Sequence, residues 1–140
     1  MGIGQVNFTK GTRYSRPDVK EIAGIGRDAK GGDWDTGIVE HGNEYVIFTN
    51  VGADGRTGHR YDNQWEGEYL RWSHKNGSRL SWPSVQKLLE PGRRIHVFFR
   101  LENRESFTYA GLAHAVEVTD TSPVEVLWGF DPGFAPTAPV

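Results

Sequence analysis

A chain of 140 residues without a cysteine is long enough to bury one core, and it offers no disulfide, no cysteine-ligated zinc and no thiol nucleophile. Its formal charge of −2 argues against polyanion binding by the whole molecule. The sum hides an asymmetry: residues 1–51 carry six cations and seven acids, residues 52–104 ten and six, and residues 105–140 none and five.

No apolar run approaches the ~20 residues of a membrane-crossing helix, so no membrane partner is expected. The N-terminal segment MGIGQVNFTKGTRYS lacks a continuous apolar signal core, and Val6 occupies the position that myristoylation reserves for Ser or Thr. The absence of cysteine fits a cytoplasmic location.

Taken in chain order, the first element is a short helix. Pro17, behind Ser15 and Arg16, suits a first helical turn, and Asp18–Ala23 runs to a stop at Gly24. Turns are expected at Gly31-Gly32, Gly42-Asn43, Asp54-Gly55, Asn76-Gly77 and Pro91-Gly92. Between them lie β-like runs at Tyr45–Asn50 and Glu68–Ser73, then a helix at Pro83–Glu90 whose Val85, Leu88 and Leu89 face a core. Ile95–Arg100 is the strongest strand, with Ile95, Val97 and Phe99 on one face. Phe107–Leu112 and Ala115–Val118 together form another run, interrupted at Gly111, and Val124–Phe130 closes the set. The implied fold class is α+β: a small, strongly curved β-sheet or β-barrel with two or three short flanking helices. Residues 1–130 form one domain, and the Pro-rich, nearly uncharged 131–140 reads as a tail or linker.

Catalytic signatures are sparse. Pro17-Asp18 with Asp28-Ala29-Lys30 imitates an arrangement in which two acids hold Mg²⁺ and a lysine assists water, making Asp18, Asp28 and Lys30 the candidates for a small nuclease. Asp28 and Lys30 lie in a Gly-rich stretch that reads as loop, and Pro17-Asp18 reads better as a helix start. The five histidines show no compact ligand spacing, although His59, Asp62 and His74 can be combined on paper. No GxSxG elbow, dinucleotide loop or GK[ST] phosphate loop occurs. The pattern calls for no metal and no cofactor, and describes a binder more than an enzyme.

The binding chemistry concentrates in residues 52–104, which hold Trp65, Trp72 and Trp82 among the ten cations. Cations attract phosphates and flat rings stack on bases. A protein that reads an altered base takes it out of the stack into a pocket of aromatic walls, with polar groups on its edge. Three segments offer such groups. Asp33-Trp34-Asp35-Thr36 sets a ring between carboxylates able to accept from an exocyclic amine; its ordinary reading is a loop tryptophan flanked by turn-forming acids. Trp72-Ser73-His74-Lys75-Asn76 runs from a strand into a polar loop, with a plain hairpin around Asn76-Gly77 as the alternative. Gly55–Asn63 is a cationic loop ending near Tyr61 and Trp65, and otherwise simply a solvated one. The candidate base pocket is therefore Trp34, Asp35, Tyr61, Trp65, Trp72, Ser73, His74 and Asn76. The candidate phosphate contacts are Arg13, Arg16, Arg56, His59, Arg60, Lys75 and Arg79.

Tyr14–Val19, Tyr61-Asp62-Asn63, Leu70–Ser73, Ile95–Arg100 and Phe107–Gly111 occur in an order that resembles a domain of unknown function appended to bacterial restriction-type helicase and HNH-nuclease proteins. The resemblance spans about residues 12–130. It implies a PUA-like module in the style of the SRA and EVE readers, serving modification-dependent restriction and phage defence. Where the family carries a Ser-Gln-Asn-Arg run, this chain has Ser73-His74-Lys75-Asn76. The expected function is recognition of modified double-stranded DNA, with 5-methyl- or 5-hydroxymethylcytosine first and base flipping as one route, for a nuclease fused or associated in a larger protein. A phosphorothioate-DNA reader and a nucleotide- or partner-sensing domain are the rival readings, with the Mg²⁺ nuclease behind them.

Overall fold

A computed structural model describes residues 7–26, 28, 37–51, 63–75, 77–102 and 104–130. The first segment forms β1 (Arg13–Tyr14) and α1 (Arg16–Ile22). The helix begins where the sequence predicts because Ser15 and Asp18 form a reciprocal cap. The Ser15 Oγ accepts from the Asp18 N–H at 3.1 Å, and the Asp18 carboxylate accepts from the Ser15 N–H at 2.9 Å. A cap of this kind stabilises a helix by about 1 kcal/mol. It also commits the Asp18 carboxylate to local structure.

The strands β2 (Ile38–His41) and β3 (Glu44–Asn50) form a hairpin through Gly42-Asn43, where Gly42 has a φ of +62°. A second hairpin joins β4 (Gln64–Glu66) to β5 (Tyr69–Ser73). Helix α2 (Pro83–Leu88) follows, and then β6 (Arg94–Arg100), β7 (Phe107–Thr119) and β8 (Glu125–Phe130). One sheet takes them in the order β2-β3-β6-β7-β8-β5-β4, with β1 added beside β7. The β3–β6 pair is parallel and all others are antiparallel.

The two central parallel strands are buried along nearly their whole length, as expected when both sheet faces are covered. One face holds Ile47, Leu70, Trp72, Val97 and Trp128, closed by Val85 and Leu88 of α2. The other holds Val46, Phe48, Phe98 and Tyr109, closed by Val19 of α1 with Phe8 and Tyr14. Ile95, Val97 and Phe99 do share a face, as their alternation predicts.

The sheet is strongly curled but does not close into a barrel: β2 and β4 end it and do not pair with each other. One side chain marks the curl. Strands β3 and β5 stand four places apart, roughly 19 Å in a flat sheet. Yet Asn63 donates from Nδ2 to Thr49 Oγ1 of β3 at 3.0 Å and accepts at Oδ1 from the Ser73 N–H of β5 at 2.9 Å. A single carboxamide bridges them, so the sheet has folded its two halves toward each other. Bulges between Val97 and Phe98 and between Ala115 and Glu117 supply part of the bend.

Phe107–Thr119 is one continuous strand without the interruption expected at Gly111, which adopts a φ of +123° that lets the chain bulge and continue. The plain-hairpin alternative for the segment after β5 does not hold, because β5 pairs with β4 and β8. Strands β1, β2 and β4 are additions to the predicted set. No helix among the described residues is long and apolar enough to cross a membrane. The expected tail 131–140 and the turns at Gly31-Gly32 and Asp54-Gly55 lie outside the described residues.

Candidate nucleic-acid interface

Where the curled sheet brings the ends of β3 and β5 together, a cavity of about 320 Å³ opens. Trp72, Ser73, His74 and Lys75 form one wall. Phe48, Thr49 and Asn50 of β3 form the opposite one, with Asn63, Gly37 and Ile38 at the ends. Four residues of the segment singled out in the sequence thus line one concave site.

The other candidates, Trp34, Asp35, Arg56, His59, Arg60, Tyr61 and Asn76, lie outside the described residues.

Each wall is fixed from behind. Trp72 is buried to 3% and its indole packs on Trp128 and the His74 ring, so it is a wall and not an exposed platform. The His74 N–H donates to the Val124 carbonyl at 2.8 Å, and the Val124 N–H donates to Ser78 Oγ at 3.0 Å. The Arg71 guanidinium grips Glu66 and Glu125, which ties β5 to both its neighbours and holds the Glu66 carboxyl below its usual range. Burial holds the His74 imidazole below its ordinary pKa, and the Lys75 charge adds to the effect. A neutral ring results.

Trp65 does not line the cavity. Its ring packs against Phe99 and Phe130 at the border of the core. Among the phosphate candidates, Lys75 is exposed on the cavity wall and Arg79 is exposed in the turn before α2. Arg13 is exposed on β1. Arg16 lies on the opposite sheet face, its guanidinium 4.4 Å from the Phe48 ring centre.

The charge excess of residues 52–104 is partly neutralised within the fold. Besides Arg71, Arg93 bonds Glu90 at 2.6 Å, Arg94 bonds Glu44 at 3.0 Å and Lys87 bonds Glu40 at 2.5 Å. Asn63, Thr49 and Asn50 are the site residues that sequence reasoning missed. The sequence signal for Thr49 and Asn50 is that apolar Tyr45–Phe48 ends abruptly in two polar residues, and Asn63 closes the Gly55–Asn63 loop and the Tyr61-Asp62-Asn63 motif.

His96, on β6, is a structural residue. Its Nε2 donates to Glu44 at 2.7 Å and its Nδ1 accepts from the Tyr109 hydroxyl at 2.8 Å, an assignment read from the hydrogen-bond network. Burial pushes its pKa down against the raising effect of the Glu44 hydrogen bond. No cluster of three or more metal-ligating side chains occurs among the described residues.

An open, curled eight-stranded sheet with one helix on each face is an SRA-like architecture. The structure is similar over 100% of both chains to the SRA domain of SUVH5 in its complex with hemimethylated CG DNA, at a TM-score of 0.60 and 16% identity. It is similar in the same way to that domain with methylated CHH DNA, at 0.59 and 18%, and with fully hydroxymethylated CG DNA, at 0.57 and 16%. No protein-family model and no curated protein matches the sequence.

Proposed function

We propose that this chain is a binding module for double-stranded DNA carrying a modified cytosine, and that the cavity between β3 and β5 receives the modified base. The observation that carries the reading is one concave site of about 320 Å³ lined by Trp72, Ser73, His74 and Lys75 on one side and by Thr49, Asn50 and Asn63 on the other. The site has an indole wall, an imidazole and carboxamide groups, the mixture that holds a base by its face and reads it by its edge. The likeness to an SRA domain solved with methylated and hydroxymethylated DNA supports it, because the fold is shared along the whole length.

The chain has no catalysis of its own in this reading. Asp18 is occupied as a helix cap, Asp28 lies exposed outside any helix or strand, and Lys30 lies outside the described residues. Cleavage belongs to a nuclease fused to or associated with this module, in a bacterial modification-dependent restriction protein.

The test is a titration of matched duplexes that differ at one position: cytosine, 5-methylcytosine, 5-hydroxymethylcytosine, and a phosphorothioate linkage. Tighter binding of a cytosine-modified duplex supports the proposal. Equal affinity for all four with a steep salt dependence would mean backbone binding alone. Preference for the phosphorothioate would move the recognition to the sugar-phosphate chain.

A further inference from the structure

The polar groups around the cavity are mostly committed to one another. Asn63 uses both ends of its amide on Thr49 and Ser73, and the Asn50 Oδ1 accepts from Arg100 at 2.7 Å. His74 differs. It is buried to 7%, no described side chain hydrogen-bonds its imidazole, and its Nδ1 is enclosed without a partner among the described residues. A neutral imidazole holds one donor and one acceptor, and leaving either unmet in a buried place costs about 1–3 kcal/mol. The Nε1 groups of Trp65 and Trp128 are enclosed in the same way, but His74 alone of the three lines the cavity, where an entering ligand can reach its ring.

The space around that ring is also larger than a methyl group requires. A second cavity of about 250 Å³ shares Ile38, His74 and Lys75 with the first, so the ring stands as a partition between two hollows. Tyr45, Ser84 and the Glu40–Lys87 pair line its far side.

We infer that His74 is the specificity-determining residue of this pocket and that it selects cytosines whose 5-substituent carries a hydroxyl over those that carry a plain methyl. The inference rests on the modified-DNA reading given above. A methyl group offers the imidazole no hydrogen bond and displaces the water that could supply one. A hydroxyl both donates and accepts, so it pairs with whichever ring nitrogen it meets, whatever the tautomer. Discrimination of this sort comes from the unpaired polar group that the wrong ligand leaves behind.

The experiment measures dissociation constants for matched duplexes with cytosine, 5-methylcytosine or 5-hydroxymethylcytosine, using the full chain and the variants His74→Leu and His74→Asn. The wild-type chain binds the hydroxymethylated duplex about tenfold more tightly than the methylated one, the worth of one buried hydrogen bond. His74→Leu brings that ratio to about one while still preferring both modified duplexes to plain DNA, and His74→Asn retains part of the preference. A folding defect would weaken both modified duplexes together and leave their ratio unchanged. Should His74→Leu fail to fold, the wild-type ratio and His74→Asn decide. Wild-type preference for the methyl, or a ratio that His74→Leu does not alter, overturns the role of His74 and leaves the reader intact. No preference for either modified duplex over plain DNA overturns the reader itself.

Discussion

Two histidines are buried among the described residues, on opposite faces of one sheet, and their surroundings differ. His96 sits under Phe8 on the α1 face with both ring nitrogens engaged, by Glu44 and by Tyr109, and Glu44 is engaged in turn by Arg94. His74 stands at the cavity on the other face with its Nδ1 unmet among the described residues. The same side chain is thus a finished structural part in one place and an open hydrogen-bonding group in the other. For these two rings it is the partners, more than the burial, that differ; two indole N–H groups of the core, on Trp65 and Trp128, also lack a partner among the described residues, so the contrast at His74 rests on its place at the cavity as well.

That contrast is breakable. The largest effect is expected at Glu44. Glu44→Ala leaves the His96 donor and the Arg94 guanidinium without their shared acceptor, and costs about 3 kcal/mol in a urea-unfolding experiment. His74→Leu, by the same assay, is neutral or stabilising, because it removes a polar group that the free protein does not satisfy. If both substitutions cost the same, the distinction between the two histidines is wrong.

A smaller effect tests the curl. Asn63→Ala removes both hydrogen bonds that tie β3 to β5, which costs about 1–2 kcal/mol. It also weakens modified-duplex binding more than plain-duplex binding, since the cavity loses its end wall. Unchanged selectivity in a destabilised Asn63→Ala protein would remove the cavity from recognition.

Acidity probes both histidines together. Each has a folded-state pKa below the ordinary 6.5, by burial first. The folded protein therefore binds fewer protons than the unfolded chain. Their contribution to stability is intact above about pH 6.5 and is lost as pH falls through that value toward the folded pKa. Urea midpoints are accordingly flat from pH 8 to 7 and decline below 6.5, and His74→Leu shows a shallower decline. The smallest effect is at Lys75: Lys75→Ala lowers affinity for modified and plain duplexes alike and reduces the salt slope by about one.

The parts of the fold visible in the sequence are those decided locally. Ile95–Arg100 and Tyr45–Asn50 are apolar enough to read as strands, and the Ser15/Pro17/Asp18 grouping marks a helix start without help from distant residues. Ile38–His41 and Gln64–Glu66 carry too few apolar residues to stand out, and become strands because neighbours pair with them. The break expected at Gly111 overlooked that a glycine at positive φ can carry a strand through a bulge. Trp72, Ser73 and His74 were legible as site residues because ring and polar groups adjoin in sequence. Asn63 and Thr49 were not, since their role exists only once the sheet curls. The charge sum misled for a similar reason: Arg71 meets Glu125, 54 residues away, a neutralisation that no local window reveals.

The central claim, that the hollow beside His74 receives a modified base, is tested most directly by following both histidine rings in one nuclear magnetic resonance titration. With ¹⁵N-labelled histidine, adding a duplex with one 5-hydroxymethylcytosine is expected to shift the His74 ring signals and leave those of His96 in place, while the unmodified duplex moves neither. Shifts of equal size with plain DNA, or bound modified DNA with the His74 ring unmoved, would contradict it.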